Sequence, residues 1–249
     1  RMSEVRVGKT EDRRQMTPTA QKAHREDFCR SLSFALRRLM NKDPYLRFEG
    51  LYGRLIDPML VGLRGLGRRM SAPSRGHRVL DVGCGTGAHL DLYRNCGCET
   101  HGIDSSQSML KVAKRRLGKD TALMIGDATA MPYKNQIFDL ILCMLLLHEM
   151  DELVRNSAIA EIKRVLKPGG RILFIDYHET RPRVFKGWIN KIIIEVIELL
   201  VGPRHFRNYR HFLANGGLPR LTEQNGLIVE QRRIVAGGTF GLSIAAHAS

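Results

Sequence analysis

The sequence predicts an α/β protein built on a doubly wound, mostly parallel seven-stranded sheet with an antiparallel C-terminal strand, carrying extra helices at its N-terminal side and a helical insertion late in the chain. Three observations lead there. From Arg78 onward short β-rich runs alternate with helical stretches, the pattern of parallel βαβ units. The fourth run, Phe138–Met144, is apolar throughout, as a strand covered on both faces is. The last two runs, Leu227–Val235 and Thr239–Ala246, meet across Ala236-Gly237-Gly238, a link short enough for a hairpin.

Each element has its own signal. Residues 1–19 are a polar tail. Over 20–40, Phe28, Leu32, Leu36 and Leu39 recur at helical spacing. A second helical stretch starts at Tyr45 and breaks at Asp57-Pro58, where Asp is a cap and Pro a first-turn residue. Residues 71–76 (SAPSRG) form a linker. Strands follow at 78–82, 99–103, 122–125, 138–144 and 171–176. The helices between them run from the glycine loop to about Cys96, then over 106–117 and 151–166, the last ending at Lys167-Pro-Gly-Gly170. Helices over 185–201 and 206–215 precede the closing hairpin. The domain reading is therefore a tail (1–19), an N-terminal helical segment (20–72), a central α/β block (73–180), a helical insertion (181–217) and C-terminal strands that complete the sheet (218–249).

The chain has 249 residues and a net charge of +15, and 43% of it is hydrophobic, which fits a globular protein with a sizeable core. No apolar run is long enough to span a bilayer. The charged N-terminus does not read as a secretory signal. Five cysteines, an odd number in a chain that needs no staples, point to a reduced, cytoplasmic setting. The charge is uneven: residues 1–78 carry +10, 79–180 carry −1 and 181–249 carry +6.

The strongest candidate site is Val79-Leu-Asp-Val-Gly-Cys-Gly-Thr-Gly87, between a strand and a helix, at the strand end where doubly wound folds bind ligands. With Ala88 it satisfies G-x-G-x-x-[GA], so the loop alone leaves open a dinucleotide or another nucleoside-containing cofactor. Its neighbours favour the second. Asp81 suits a ligand with a cationic ammonium and gives a pyrophosphate nothing. Asp104 ends the second strand 21 residues after Gly83, where a carboxylate can accept ribose hydroxyls. Asp127, after the third strand, can accept an adenine amine.

In order, VLDVGCGTG, GIDSS, GDATAMP, FDLILCMLLLHEM and LKPGGRILFID resemble the signature series of class I S-adenosylmethionine-dependent methyltransferases over about residues 78–178. The N-terminal helices and RNYRHFLANGGL are similar to the ubiquinone/menaquinone methyltransferase-like, small-molecule group. The resemblance implies a Rossmann-like fold and S-adenosyl-L-methionine as cofactor. It implies that Gly83, Cys84, Gly85 and Gly87 line the methionine and ribose, with no catalytic role for Cys84. It further implies that Asp81 holds the amino group, Asp104 with Ser105 binds the ribose, Asp127 and Ala128 contact adenine, and Cys143 and Met144 border the cofactor.

A sulfonium methyl is already activated, so transfer is an in-line displacement that positioning can drive, with a base needed only when the acceptor must lose a proton. Candidate catalytic residues are His148, which can be neutral at pH 7, and Tyr177 and His178 at the end of the fifth strand. Tyr45, Tyr52 and Tyr209 are candidate acceptor contacts. Neither the Asp/Asn-Pro-Pro-aromatic series of nucleic-acid amino methylation nor a Pro-Cys dipeptide occurs. No ligand spacing suggests a metal, so none is expected.

The leading expectation is methyl transfer to a small, apolar or lipid-like acceptor. The apolar, Arg-edged helices over 185–215 would act as a lid or make peripheral contact with an anionic membrane. An RNA or other nucleic-acid methyltransferase is the second reading, on the +15 charge, and a non-catalytic cofactor-binding scaffold the third.

Overall fold

A computed structural model describes residues 57–178 and 185–247. The expected N-terminal tail, the helix over 20–40 and the stretch from Tyr45, with Tyr45 and Tyr52, lie outside the described residues.

Seven strands form one sheet: β1 (Arg78–Val82), β2 (Glu99–Asp104), β3 (Ala122–Ile125), β4 (Phe138–Met144), β5 (Leu166–Tyr177), β6 (Leu227–Val235) and β7 (Phe240–His247). Their order is β3-β2-β1-β4-β5-β7-β6. The first five strands pair in parallel, and β7 runs antiparallel to both β5 and β6. The chain reverses its direction of winding between β1 and β4, and the carboxyl ends of those strands open the crevice in which such sheets bind ligands.

Alternation along the central strands builds two cores. Val79, Leu140, Leu142, Leu173 and Ile175 point to one face. There they meet Leu63 and Met70 of α1 (Val61–Ser71), Leu90 and Tyr93 of α2 (Ala88–Arg94), and Ala113 and Leu117 of α3 (Gln107–Leu117). Leu80, Val82, Ile141, Cys143, Ile172 and Phe174 point to the other. That face is covered by Ile159 and Ile162 of α4 (Glu152–Val165), Phe212 of α6 (Pro203–Ala214) and Leu218 and Leu221 of α7 (Gly217–Gln224). Burial on both faces explains why these strands carry few polar residues. Two helix starts carry side-chain caps: Ser106 Oγ accepts the Met109 N–H (3.1 Å) and Asp151 Oδ1 the Val154 N–H (3.1 Å). Helix α5 (Phe185–Val201) comes next in the chain after β5.

Three local readings are corrected. Lys167-Pro-Gly-Gly170 is a bulge inside β5 rather than a segment preceding it. Strand pairing jumps from Phe138–Leu166 to Leu140–Arg171, with Gly169 at φ +73°. The second insertion helix begins at Pro203 rather than at residue 206, and α7 has no counterpart among the expected elements, because Gly216, Gly217 and Pro219 look like breakers. The chain instead uses Gly216 at φ +86° as a left-handed entry and tolerates Pro219 in the first turn. Asp57 does not cap the helix after it. That helix starts after Leu60 without a side-chain cap, and the Asp57 carboxylate turns toward the glycine loop.

There Asp57 Oδ1 accepts from Arg64 Nη2 (2.7 Å), and Oδ2 accepts from Thr86 Oγ1 (2.7 Å) and Arg116 Nη1 (3.0 Å). Asp57 and Arg64 are both buried, so the pair fastens the N-terminal helix onto the loop and onto α3. Removing one partner of a buried ion pair typically costs about 3–5 kcal/mol, whereas apolar replacement of both is often tolerated. Asp57→Ala is therefore expected to lower the melting temperature sharply in calorimetry, and Asp57→Ala/Arg64→Met to recover at least half of the loss.

Candidate active site

The glycine loop is shaped by two kinds of glycine. Gly83 and Gly87 have φ +71° and +73°, and a Cβ on either would collide with a side chain, Leu146 Cδ1 at 2.9 Å and Leu117 Cδ1 at 2.6 Å. Those two serve packing. Gly85 has φ +51°, but a Cβ there would meet nothing within 4 Å, so the Cα side of its main chain is open to an approaching ligand. Ile103 O accepts from Gly83 N (2.8 Å) and Cys84 N (3.1 Å), pinning the loop to β2. Asp104 Oδ2 accepts from Gly85 N (2.8 Å) and Oδ1 from Ser106 N (2.8 Å). The expected ribose ligand thus also holds the loop. Ser105 beside it is exposed. Asp127 Oδ1 accepts from Thr129 N and Oγ1 (both 2.9 Å), and Ala128 packs against the core.

Asp81 is 2% exposed, and its Oδ1 has no protein partner. Burial pushes its pKa up to about 8, against the pull of Arg64, with Asp104 adding to the rise. Two further groups that sequence reasoning did not single out stand beside it. Arg64 has an unpartnered Nε, and His89 has two unpartnered ring nitrogens. Burial and then the Arg64 charge hold the His89 pKa down to about 3, so the ring is neutral. A cavity of about 40 Å³ lies among Arg64, Asp81, Gly85, His89, Met144 and Leu145, room for one small polar group. Met144 lines it, whereas Cys143 points the other way into the core. Burial pushes the Cys84 and Cys143 thiols well up, so neither is a ready nucleophile.

The second half of the site stands where β4 and β5 end, on the turn Leu147–Glu149 and on the inserted helices. Asp176 is 1% exposed. Its Oδ2 accepts from Leu147 N (3.1 Å) and His148 N (3.4 Å), and its Oδ1 from Tyr177 N (2.8 Å) and the His148 ring at Nδ1 (2.7 Å). Glu198 of α5 is also buried. It accepts from Tyr177 OH (2.7 Å), lies 3.6 Å from His148 Nε2 and pairs with His205 Nε2. Burial alone would pull the His148 pKa down; Asp176, then Glu198 and Glu149, outweigh it and bring it to about 9. Burial raises the Glu198 pKa, and His205 and His148 more than reverse that. With its pKa at about 9, His148 favours the protonated form at neutral pH, whereas the sequence alone leaves it able to be neutral. Arg155 clamps the turn by donating to Leu147 O (2.8 Å) and Met150 O (2.7 Å), and Asn208 Nδ2 donates to Glu149 O (2.6 Å).

Of the expected acceptor-side residues, His148, Tyr177 and Tyr209 come together, their rings in edge contact at 4.6–6.2 Å. His178 lies against Gly241 of β7. Glu198 and His205 were missed. The signal available was a lone Glu on the same helical face as Ile194, because a carboxylate on a buried face needs a partner.

These residues fit the cofactor implied by the sequence resemblance. Asp81 offers an orphaned buried oxygen to an ammonium, and Gly85, held by the Asp104 carboxylate, leaves open space on its Cα side.

Residues 80–174 match the family model described as a methyltransferase domain. The chain is 31% identical over 194 residues to a ubiquinone biosynthesis O-methyltransferase of Thiobacillus denitrificans, covering 76% of this chain and 78% of that protein. It is 39% identical over 102 residues to a demethylmenaquinone methyltransferase of Renibacterium salmoninarum, a match that spans 41% of this chain and only 42% of the relative. Among solved structures, a protein from Pyrococcus horikoshii superposes with a TM-score of 0.60 at 18% identity over 78% of this chain and 92% of that one. A methyltransferase from Aquifex aeolicus gives 0.56 at 19% identity over 82% and 98%. At those identities the likeness is one of fold.

The Asp81 geometry yields a proton count. In the free protein the carboxyl is mostly protonated at pH 7, and pairing with an ammonium requires the carboxylate. Binding of S-adenosylmethionine at pH 7 is expected to release close to one proton, and affinity to fall by up to about tenfold per pH unit below 8. Calorimetry in buffers of different ionisation enthalpy measures the count. Asp81→Asn should abolish it, and equal counts in the two proteins would refute the assignment.

Proposed function

The chain belongs to the class I S-adenosylmethionine-dependent methyltransferases of the small-molecule type, and on that premise we propose that it methylates a small, apolar, lipid-like acceptor held beneath its inserted helices. The cofactor supplies a sulfonium-activated methyl group for in-line displacement. Asp81, Gly85 and Asp104 hold and orient it, and the inserted helices keep water from the transfer path.

One observation carries the acceptor reading. Tyr177, Ile194 and Tyr209 are buried together, with Leu145, Phe206, Leu213 and Phe240 packed against them. Leu145 also lines the Asp81 cavity, so one side chain borders both the cofactor loop and an apolar, aromatic wall. Leu145 adopts φ +53°, a strained conformation for leucine that the Leu145 N–H bond to Ile175 O (2.8 Å) helps to hold. Aromatic surface at the ends of β4 and β5 favours a flat apolar ring or tail over a phosphodiester.

Electrostatics point the same way. Basic side chains of α6 and α7 face carboxylates: Arg210 with Glu195 (3.2 Å), Arg220 with Glu223 (3.1 Å) and Arg204 with Asp151 (3.8 Å). Among the described residues no helix is long and apolar enough to cross a membrane. Ile192, Val196, Leu199 and Leu200 nevertheless form an exposed stripe on α5, which supports uptake of the acceptor at a lipid surface.

The test uses methyl-labelled cofactor with extracted lipids, quinone precursors and total RNA in parallel. Label is expected in the apolar small-molecule fraction, and label found only in RNA overturns the reading. Phe206→Ala should raise the acceptor KM about tenfold, roughly the loss of one partly buried apolar contact, while cofactor affinity stays within twofold.

A further inference from the structure

We propose that His148, Glu149 and His205, with Glu198 beside them, form a site for a divalent transition metal of the zinc type on the acceptor side of the methyl-transfer centre. The ligand atoms of His148, Glu149 and His205 all lie within 4.8 Å of one another. Two imidazoles and a carboxylate are a donor set suited to zinc, and to manganese or ferrous iron as competitors. Tetrahedral zinc with bonds of about 2.0–2.2 Å needs its donors roughly 3.3–3.6 Å apart, so small rotations of Glu149 and His205 about a fixed His148 close the site.

A second, independent arrangement points to an ion. The His148 ring is not free to turn. Its Nδ1 is tied to Asp176 Oδ1 at 2.7 Å, and Asp176 is itself fixed by three backbone N–H groups. A carboxylate on one ring nitrogen that aims the other is the usual outer-shell support of a metal-binding histidine. Here it directs Nε2 toward Glu198, at 3.6 Å. The Glu198 carboxylate lies between His148 Nε2 and His205 Nε2, and Tyr177 OH holds its Oε1. A cation entering between the imidazoles would take over both nitrogens from Glu198, which then serves as fourth ligand or as outer-shell acceptor.

Each donor is backed by the fold. Glu149 is carried on the turn that Arg155 and Asn208 clamp, and His205 stands in the first turn of α6, just past Gly202-Pro203. The ligands come from the 148–149 turn and from two inserted helices, so no short-range spacing shows them in the sequence. Tyr177 and Tyr209, in edge contact with the His148 ring, put the site against the aromatic wall. Resting on the small-acceptor reading, the ion would fix a hydroxyl or carbonyl oxygen of the acceptor and thereby select acceptors that carry one.

The test is metal uptake, read without any acceptor. Protein dialysed against chelator is titrated with zinc and with manganese chloride, and bound metal is counted by mass spectrometry after gel filtration. Cobalt substitution supplies a visible spectrum. One equivalent of ion is expected. His205→Ala and Glu149→Gln should each lose it, and Asp176→Asn should weaken it by about 10–100-fold. Retained S-adenosylmethionine binding in each variant shows that the fold survives. Absence of stoichiometric uptake by the chelator-treated wild type, or uptake unchanged in both His205→Ala and Glu149→Gln, overturns the proposal. Label transferred to an apolar acceptor by a protein that takes up no metal would refute the metal site and leave the acceptor reading standing.

Discussion

The region where β4 and β5 end is organised by one buried carboxylate. Asp176 closes β5 and receives the backbone N–H groups of Leu147, His148 and Tyr177 as well as the His148 ring. A carboxylate this deep is stable only if its lone pairs are taken up, and that requirement ties the chain leaving β4 to the end of β5. Once the turn is fixed there, His148 has one orientation. Glu198 and His205 then follow, because the buried imidazole Nε2 and the buried Glu198 carboxylate must face polar partners. The inserted helices are thereby placed over the strand ends by charge pairing as well as by the apolar contacts of Ile194, Tyr209 and Phe212.

The cofactor half follows a different rule. Its loop is held by backbone bonds to Ile103 and by Asp104, and its glycines divide between those that avoid Leu146 and Leu117 and the one that leaves the main chain open. Asp81 is left with an unmatched oxygen, a cost of burial that a cationic ligand group removes. Thr86 and Asp57 connect this loop to the helix before β1, so packing at the N-terminal side reaches the cofactor loop through two hydrogen bonds. The two halves meet at Leu145, whose left-handed backbone and dual contacts make it the seam between them.

The sequence and the structure diverge where short-range signals compete with tertiary ones. Pro168 with its two glycines signals a stop, and locally it interrupts the register; but Phe138 still pairs with Leu166, and the strand continues through the bulge. Gly216, Gly217 and Pro219 signal a loop, yet burial of Leu218 and Leu221 against the core outweighs them. Asp57 has the residue type of a cap, but a buried arginine and a loop threonine make stronger claims on its oxygens.

What the sequence alone determined is the part whose chemistry is local. The period-two strands, the glycine loop, the helices between the strands and the closing hairpin each depend on residues a few positions apart, so pattern and spacing name them. The geometry of the loop at Gly83, Gly85 and Gly87 and the charge of Asp81 beside it are likewise local, because backbone freedom and charge sit next to each other in the chain. Only the tertiary structure decided the rest. It joined Asp57 to Thr86 and His148 to Asp176, Glu198 and His205, gave His148 its proton, and turned Cys143 away from the cavity that Met144 lines. The reason is physical. A buried charge is satisfied by whatever folds against it, and its partners lie far away in the chain, where no periodicity records them.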